Sequence, residues 1–239
     1  MTDSIIPRWL EWAREIQALS QTGYQFSAPE YSQDTEYSQD TEYSQDTEYS
    51  QDAGYSMENY YHRQRYHRLS EIAAEIIAEH TDLDSPSLME VFSAQTGYAT
   101  PRVDVRGAVF QDGKLLLVRE RVDGGWTLPG GWADVGDAPS EAAEREVWEE
   151  AGLRVKAQKV IGVYDANRID PLELFHAFKI VFLCELVSGE PRPSQETSEV
   201  AFFERDELPQ ALSGERTTPR HIRDAFAAKD KPDFPTVFD

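Results

Sequence analysis

The stretch REVWEEAGL, Arg145 to Leu153, places three glutamates within five residues and ends beside a glycine. On a helix Glu146, Glu149 and Glu150 stand at i, i+3 and i+4 and share one face. Like charges at that spacing repel. Arg145 is the only basic residue of the segment; it can pair with Glu141 or Glu149, four residues to either side, but one arginine does not neutralise three glutamates. Hard cations such as Mg²⁺ take oxygen ligands, often from one or two carboxylates, and complete their shell with water and phosphate oxygens. The chemistry expected of this segment is therefore a divalent cation, Mg²⁺ or as a substitute Mn²⁺, held against a phosphate. The preceding loop, LPGGWADVG (Leu128 to Gly136), supplies backbone oxygen and lets a phosphate approach without a Cβ in the way.

Such a platform needs a frame. The glutamates fall in a helix predicted from about Pro139 to Ala151 and stopped by Gly152, with Ala143, Val147 and Ala151 as the stripe that packs on a sheet. VDVRGAVF and KLLLVRE, separated by QDG, read as a hairpin. Further strands are expected at VKAQKVIGVYD, HAFKIVFLCEL and VAFFERD, and a last helix at PRHIRDAFAA. Strands on both sides of a central helix predict an α/β domain over residues 99–239, a mixed sheet with helices on both faces.

Residues 1–98 read as a small all-helical domain. Pro7 opens a helix carrying Trp9, Trp12, Ala13, Ile16 and Leu19 at helical spacing, and Tyr66, Leu69, Ile72, Ala73, Ile76 and Ile77 form a second stripe. A short third helix is expected over Leu88 to Ala94. Between the first two lies EYSQDT repeated with a period of six, too short for units that stack. Its only large apolar group is tyrosine, so residues 27–56 are expected to be a disordered insertion.

The formal charge of −21 argues against a grip on duplex nucleic acid or anionic lipid, which needs clustered Lys and Arg. No run approaches 18 apolar residues and the N-terminus does not read as a signal peptide, which places the protein in the cytoplasm. A single cysteine, Cys184, excludes an intramolecular disulfide or a cysteine-based metal site.

Gly131, Arg145, Glu146, Val147, Glu149, Glu150, Gly152 and Leu153 together resemble the signature of the Nudix hydrolases: G, five residues, E, seven residues, then R-E-apolar-x-E-E-x-G-apolar. Eight of its nine positions match; the ninth, the first glutamate, is Asp137. RWLEWAREIQALSQTG, FLCEL and ETSEVAFFERDELP are similar to the Nudix subfamily with an N-terminal helical extension, known for CDP-choline or ADP-ribose pyrophosphatase activity. The resemblance implies a Nudix α/β/α sandwich and metal-dependent hydrolysis of a nucleoside diphosphate linked to another moiety, by water attack at phosphorus. It further implies that Glu149 and Glu150 are metal ligands beside the Gly130 or Gly131 carbonyl, that Glu146 is a ligand or the base, and that Arg145 orients them. A further carboxylate from outside the helix is typical of the family, with Glu199 or Glu196 the candidate, and a homodimer is expected.

Outside the signature, Arg119 and Arg121 flank the glycine loop and suit phosphate oxygens. Tyr164, Asp165 and Arg168 in VYDANR are candidates for base or ribose, Trp132 and Trp126 for stacking, and His176 and Lys179 for the pocket wall. Two other activities fit the same residues: a sensor that binds a nucleotide metabolite without cleaving it, and a nuclease acting on RNA 3′ ends.

Overall fold

Four consecutive apolar residues, Leu115 to Val118, leave no polar side for water, so a strand carrying them must be covered on both faces. In a computed structural model of the protein they form the middle of β2 (Lys114–Glu120) and all four are fully buried. The structure describes residues 7–27, 57–166, 176–214 and 216–239. The chain divides into two compact units, one of Arg8–Ala99 and one containing Thr100–Asp239.

The first unit holds α1 (Arg8–Phe26), α2 (Met57–His80) and α3 (Ser85–Ser93), with α2 packed on each of the others. Leu10 and Ala13 on α1, Ala73, Ala74 and Ile77 on α2, and Leu88 and Phe92 on α3 are buried. Gly23 lets α1 meet α2 closely, since a Cβ there would lie 2.2 Å from the Tyr66 ring. The third helix begins earlier than the expected Leu88. Asp84 caps it by accepting from Ser87 N at 2.9 Å, which satisfies a free N–H of the first turn. The EYSQDT repeats lie outside the described residues.

The second unit contains β1 (Arg102–Gln111), β2, β3 (Trp126–Thr127), β4 (Gly130–Trp132), α4 (Pro139–Ala151), β5 (Leu153–Asp165), β6 (Ala177–Gly189), β7 (Thr197–Phe203), α5 (Pro219–Asp230) and β8 (Val237–Phe238). They build an eight-stranded mixed sheet in the order β3-β2-β1-β6-β5-β8, with β4 also on β1 and β7 on β2. The β1–β6 and β5–β8 pairs are parallel, the rest antiparallel. The QDG signal is a two-residue hairpin loop. Asp112 and Gly113 both take positive φ, 51° and 80°, the twist that suits a tight hairpin.

Leu116 and Val118 join Val105, Val109 and Phe182 beneath the Ala143, Val147 and Ala151 stripe of α4. Leu115 and Leu117 turn the other way, to Ile222, Ala225 and Phe226 of α5. The expected sheet with helices on both faces is thus formed. Among the described residues no helix is long and apolar enough to cross a membrane.

A histidine of α5 is sealed against Tyr164 of β5. His221 is fully buried, its ring centroid 4.5 Å from that of Tyr164, and its Nδ1 accepts from Thr218 N at 3.3 Å. The proton must then sit on Nε2, which has no partner among the described residues. Burial first, and then Lys179, lower its pKa from 6.5 to about 3; Arg106 and Arg220 act in the same sense and Asp104 opposes them. The unfolded chain therefore takes up a proton near pH 6.5 that the folded protein refuses until about pH 3, so stability falls as pH falls through that window. His221→Gln is expected to flatten this slope by up to about 1.4 kcal/mol per pH unit in urea melts between pH 4 and 7. An unchanged slope would refute the buried, neutral state.

Candidate active site

The glycine pair and the glutamate helix meet at one end of β1. Gly130 has φ 148° and pairs with Arg106, while Gly131 pairs with Val105. A Cβ on Gly130 would lie 2.0 Å from the Val105 carbonyl oxygen, and one on Gly131 would lie 3.2 Å from Glu146 Oε2. The missing Cβ of Gly130 lets this strand close on β1 and that of Gly131 leaves room for Glu146, while Gly130 N donates to Glu150 Oε2 at 2.9 Å. The helix is begun by Pro139, with Glu141 accepting from Ala138 N at 3.2 Å, and ended by Gly152 at φ 74°.

These elements border a cleft of about 720 Å³. Glu146, Glu149, Glu150 and Arg145 of α4 line it with Gly130, Gly131, Trp132 and Asp134. Arg145 is the hub, reaching Glu146 at 2.8 Å, Glu149 at 3.1 Å, and Asp134 and Asp137 at 3.3 Å each. Asp137, the one departure from the signature, therefore serves as a counter-charge to Arg145. Burial pushes the Glu150 carboxyl up to about 8, against the pull of Arg106. Burial likewise raises Glu146, with Glu149 adding to the rise and Arg145 opposing it.

The glutamates share the cleft without converging. Among the described residues no three His, Cys, Asp or Glu side chains are gathered closely enough to hold an ion. Arg145 draws Glu146 and Glu149 to its guanidinium, and the Gly130 amide holds Glu150. The donor set nevertheless fits a hard divalent cation. It is all oxygen, it carries more carboxylate than Arg145 balances, and two of its members are desolvated enough to resist ionisation without a nearby cation.

The other expected residues are distributed unevenly. Arg121 and Glu196 line the cleft. Arg119 and Glu199 do not: they sit opposite each other on β2 and β7 and form an ion pair at 2.6 Å. Each is the other's partner there, and both side chains are about half exposed. Tyr164 is buried against α5, where its hydroxyl donates to Asp224 at 3.1 Å, and it does not line the cleft. Arg168 lies outside the described residues. Trp132 lines the cleft and is about half exposed, whereas Trp126 packs edge-on to Phe203. His176 stands 3.3 Å from Asp165 on the surface.

Sequence reasoning missed Asp104, Arg106, Glu120 and Arg216, all of which line the cleft, as does Lys179. The signal for the first two was present in β1. Asp104 and Arg106 are charged residues on one face of a strand that is otherwise apolar, and charges inside such a strand are rarely buried without a task. Glu120 is buried and its carboxyl is raised by desolvation, with Arg216 opposing from 3.5 Å.

Comparison with known proteins places this geometry. A family model described as the NUDIX domain matches residues 100–225, and one described as the UDP-X-like N-terminal oligomerisation domain matches residues 54–92. The chain is 32% identical over 233 residues, 97% of each chain, to YjhB of Bacillus subtilis, to which an ADP-ribose pyrophosphatase activity is attributed. A crystal structure of an ADP-ribose pyrophosphatase from Streptococcus suis superposes with a TM-score of 0.54 at 39% identity, covering 59% of this chain and 100% of that one. A crystal structure of a UDP-X diphosphatase covers 96% of this chain and 97% of its own, with a TM-score of 0.54 at 28% identity.

Proposed function

The chain belongs to the Nudix family of pyrophosphohydrolases, and from that premise we propose that it cleaves a nucleoside diphosphate linked to a second moiety, of the ADP-ribose type, with Mg²⁺ as cofactor. The observation that carries this reading is the cleft itself. It is lined by carboxylates of α4, by glycine backbone and by the cations Arg106, Lys179 and Arg216, a set that accepts a metal-bridged diphosphate. Relatives named for ADP-ribose and a neighbour named for UDP-X support the substrate class. CDP-choline belongs to the same class.

Glu149, Glu150 and Glu146, with the Gly131 backbone, would hold the cation. A divalent ion bound there supplies neutralisation of the charge that builds on the phosphate oxygens. Arg145 keeps the glutamates turned toward the cleft, and the glycine backbone leaves room for the diphosphate beside them. Glu146, which lines the cleft and pairs with Arg145 at 2.8 Å, is either a further ligand or the base that accepts a proton from the attacking water. Water adds to one phosphorus, the bridging P–O bond breaks, and a nucleoside monophosphate and a phosphorylated second product leave. The match of residues 54–92 to an oligomerisation domain supports a homodimer.

The test is a panel of ADP-ribose, UDP-sugars, CDP-choline, NADH, nucleoside triphosphates and short RNA, incubated with Mg²⁺ or with EDTA and resolved by chromatography. Metal-dependent release of a nucleoside monophosphate from a diphosphate-linked compound upholds the proposal. Cleavage of none of them, with a rise in melting temperature from one, would replace it with a sensor.

A further inference from the structure

At the inner end of the cleft two cations are buried almost completely. Arg106 on β1 is 3% exposed and Lys179 on the neighbouring β6 is 2% exposed. Asp104 lies in register with Lys179 and is the carboxylate that both reach. It accepts from Arg106 Nε at 2.9 Å and Nη2 at 2.7 Å, and stands 3.3 Å from Lys179 Nζ. Backbone carbonyls complete the frame, with Arg106 Nη1 donating to Leu128 at 3.2 Å and Lys179 Nζ donating to Arg216 at 2.8 Å.

Burying charge costs several kcal/mol per ion before any pairing, and apolar residues of like size usually hold a fold as well. The same face of the same two strands continues with Ala108 and Val181, both fully buried, so nothing in the sheet calls for charge here. The two cations also line the cleft rather than a closed core. The Asp104 fork and the carbonyls fix both side chains, which removes the entropy cost a flexible surface lysine would meet on binding an anion.

We propose that Arg106 and Lys179 form a phosphate subsite that takes one of the two linked substrate phosphates, with Asp104 as the positioning residue that holds them. The subsite deepens the pyrophosphohydrolase reading and rests on it for the identity of the substrate. It makes the protein selective for two linked phosphates over one, because a single phosphodiester engaged at the cation held by the glutamates leaves Arg106 and Lys179 empty. Binding and turnover are separate tests, so failure of one is distinguishable from failure of the other.

The probe is methylenediphosphonate, a diphosphate mimic whose P–C–P bridge water cannot cleave, titrated by calorimetry with and without Mg²⁺. The native protein should bind it, and Lys179→Met should weaken binding tenfold or more while Lys114→Gln, a surface cation paired with Glu204 outside the cleft, leaves it unchanged. Should Lys179→Met not fold, Arg106→Lys serves instead: it keeps the charge, loses the fork and should weaken binding by a similar factor with a cooperative melt retained. Asp104→Asn decides the positioning role by sign, since loss of a mere counter-charge strengthens anion binding and loss of the clamp weakens it. Any substrate cleaved should show KM raised tenfold in Lys179→Met with kcat changed less than threefold. Native protein that fails to bind the probe, or a Lys179→Met protein that binds it unchanged, overturns the subsite.

Discussion

Glu150→Gln is expected to melt within a few degrees of the native protein while losing more than about 100-fold in Mg²⁺-dependent hydrolysis. Glu150 is 4% exposed and its Oε2 accepts from Gly130 N. A glutamine keeps an oxygen in that place and removes a carboxylate that burial already resists ionising, so the fold loses little. The amide is a far poorer partner for a divalent cation, so the chemistry loses much. The pair of measurements, a melting curve and initial rates over a Mg²⁺ titration, separates the two. Rates within tenfold of native at saturating Mg²⁺ would remove Glu150 from the metal site.

Gly130→Ala should do the opposite and damage the fold. Its φ of 148° disfavours any side chain, and a Cβ would meet the Val105 carbonyl oxygen at 2.0 Å and Arg106 Cα at 2.8 Å. Both are backbone atoms of the central strand β1, which cannot yield without breaking its pairing with β4. A loss of about 4 kcal/mol is expected, the upper range for a single substitution, which lowers the melting temperature by about 10 °C. Gly136→Ala is the control. It also has a positive φ, 107°, but nothing lies within 4 Å of its Cβ position, so a smaller drop is expected. Equal drops would show that torsion, and not the close approach, governs Gly130.

What the sequence determined alone was local. Helix α4 begins at Pro139 and ends before Gly152, as its start and stop residues demanded, and the apolar stripe and glutamate spacing placed one face on the sheet and the acids beside it. The Asp112-Gly113 turn, the KLLLVRE strand and the Nudix signature were legible for the same reason: each depends on residues near one another in the chain.

Tertiary structure decided which charges share the cleft. Arg119 and Glu199 are 80 residues apart, and only the antiparallel register of β2 and β7 sets them face to face, where they neutralise each other outside the cleft. Tyr164 stands opposite Lys179 across β5 and β6, yet α5 covers the tyrosine while the lysine reaches the cleft, a division that no local pattern contains. Arg106 and Lys179 meet because a parallel pairing brings β6 beside β1. Alternation along a strand tells which residues share a face, but pairing and the helices laid over the sheet decide what each face meets. A buried cation pair held by one aspartate is a property of that assembly, since the partners that make burial tolerable come from three separate segments of the chain.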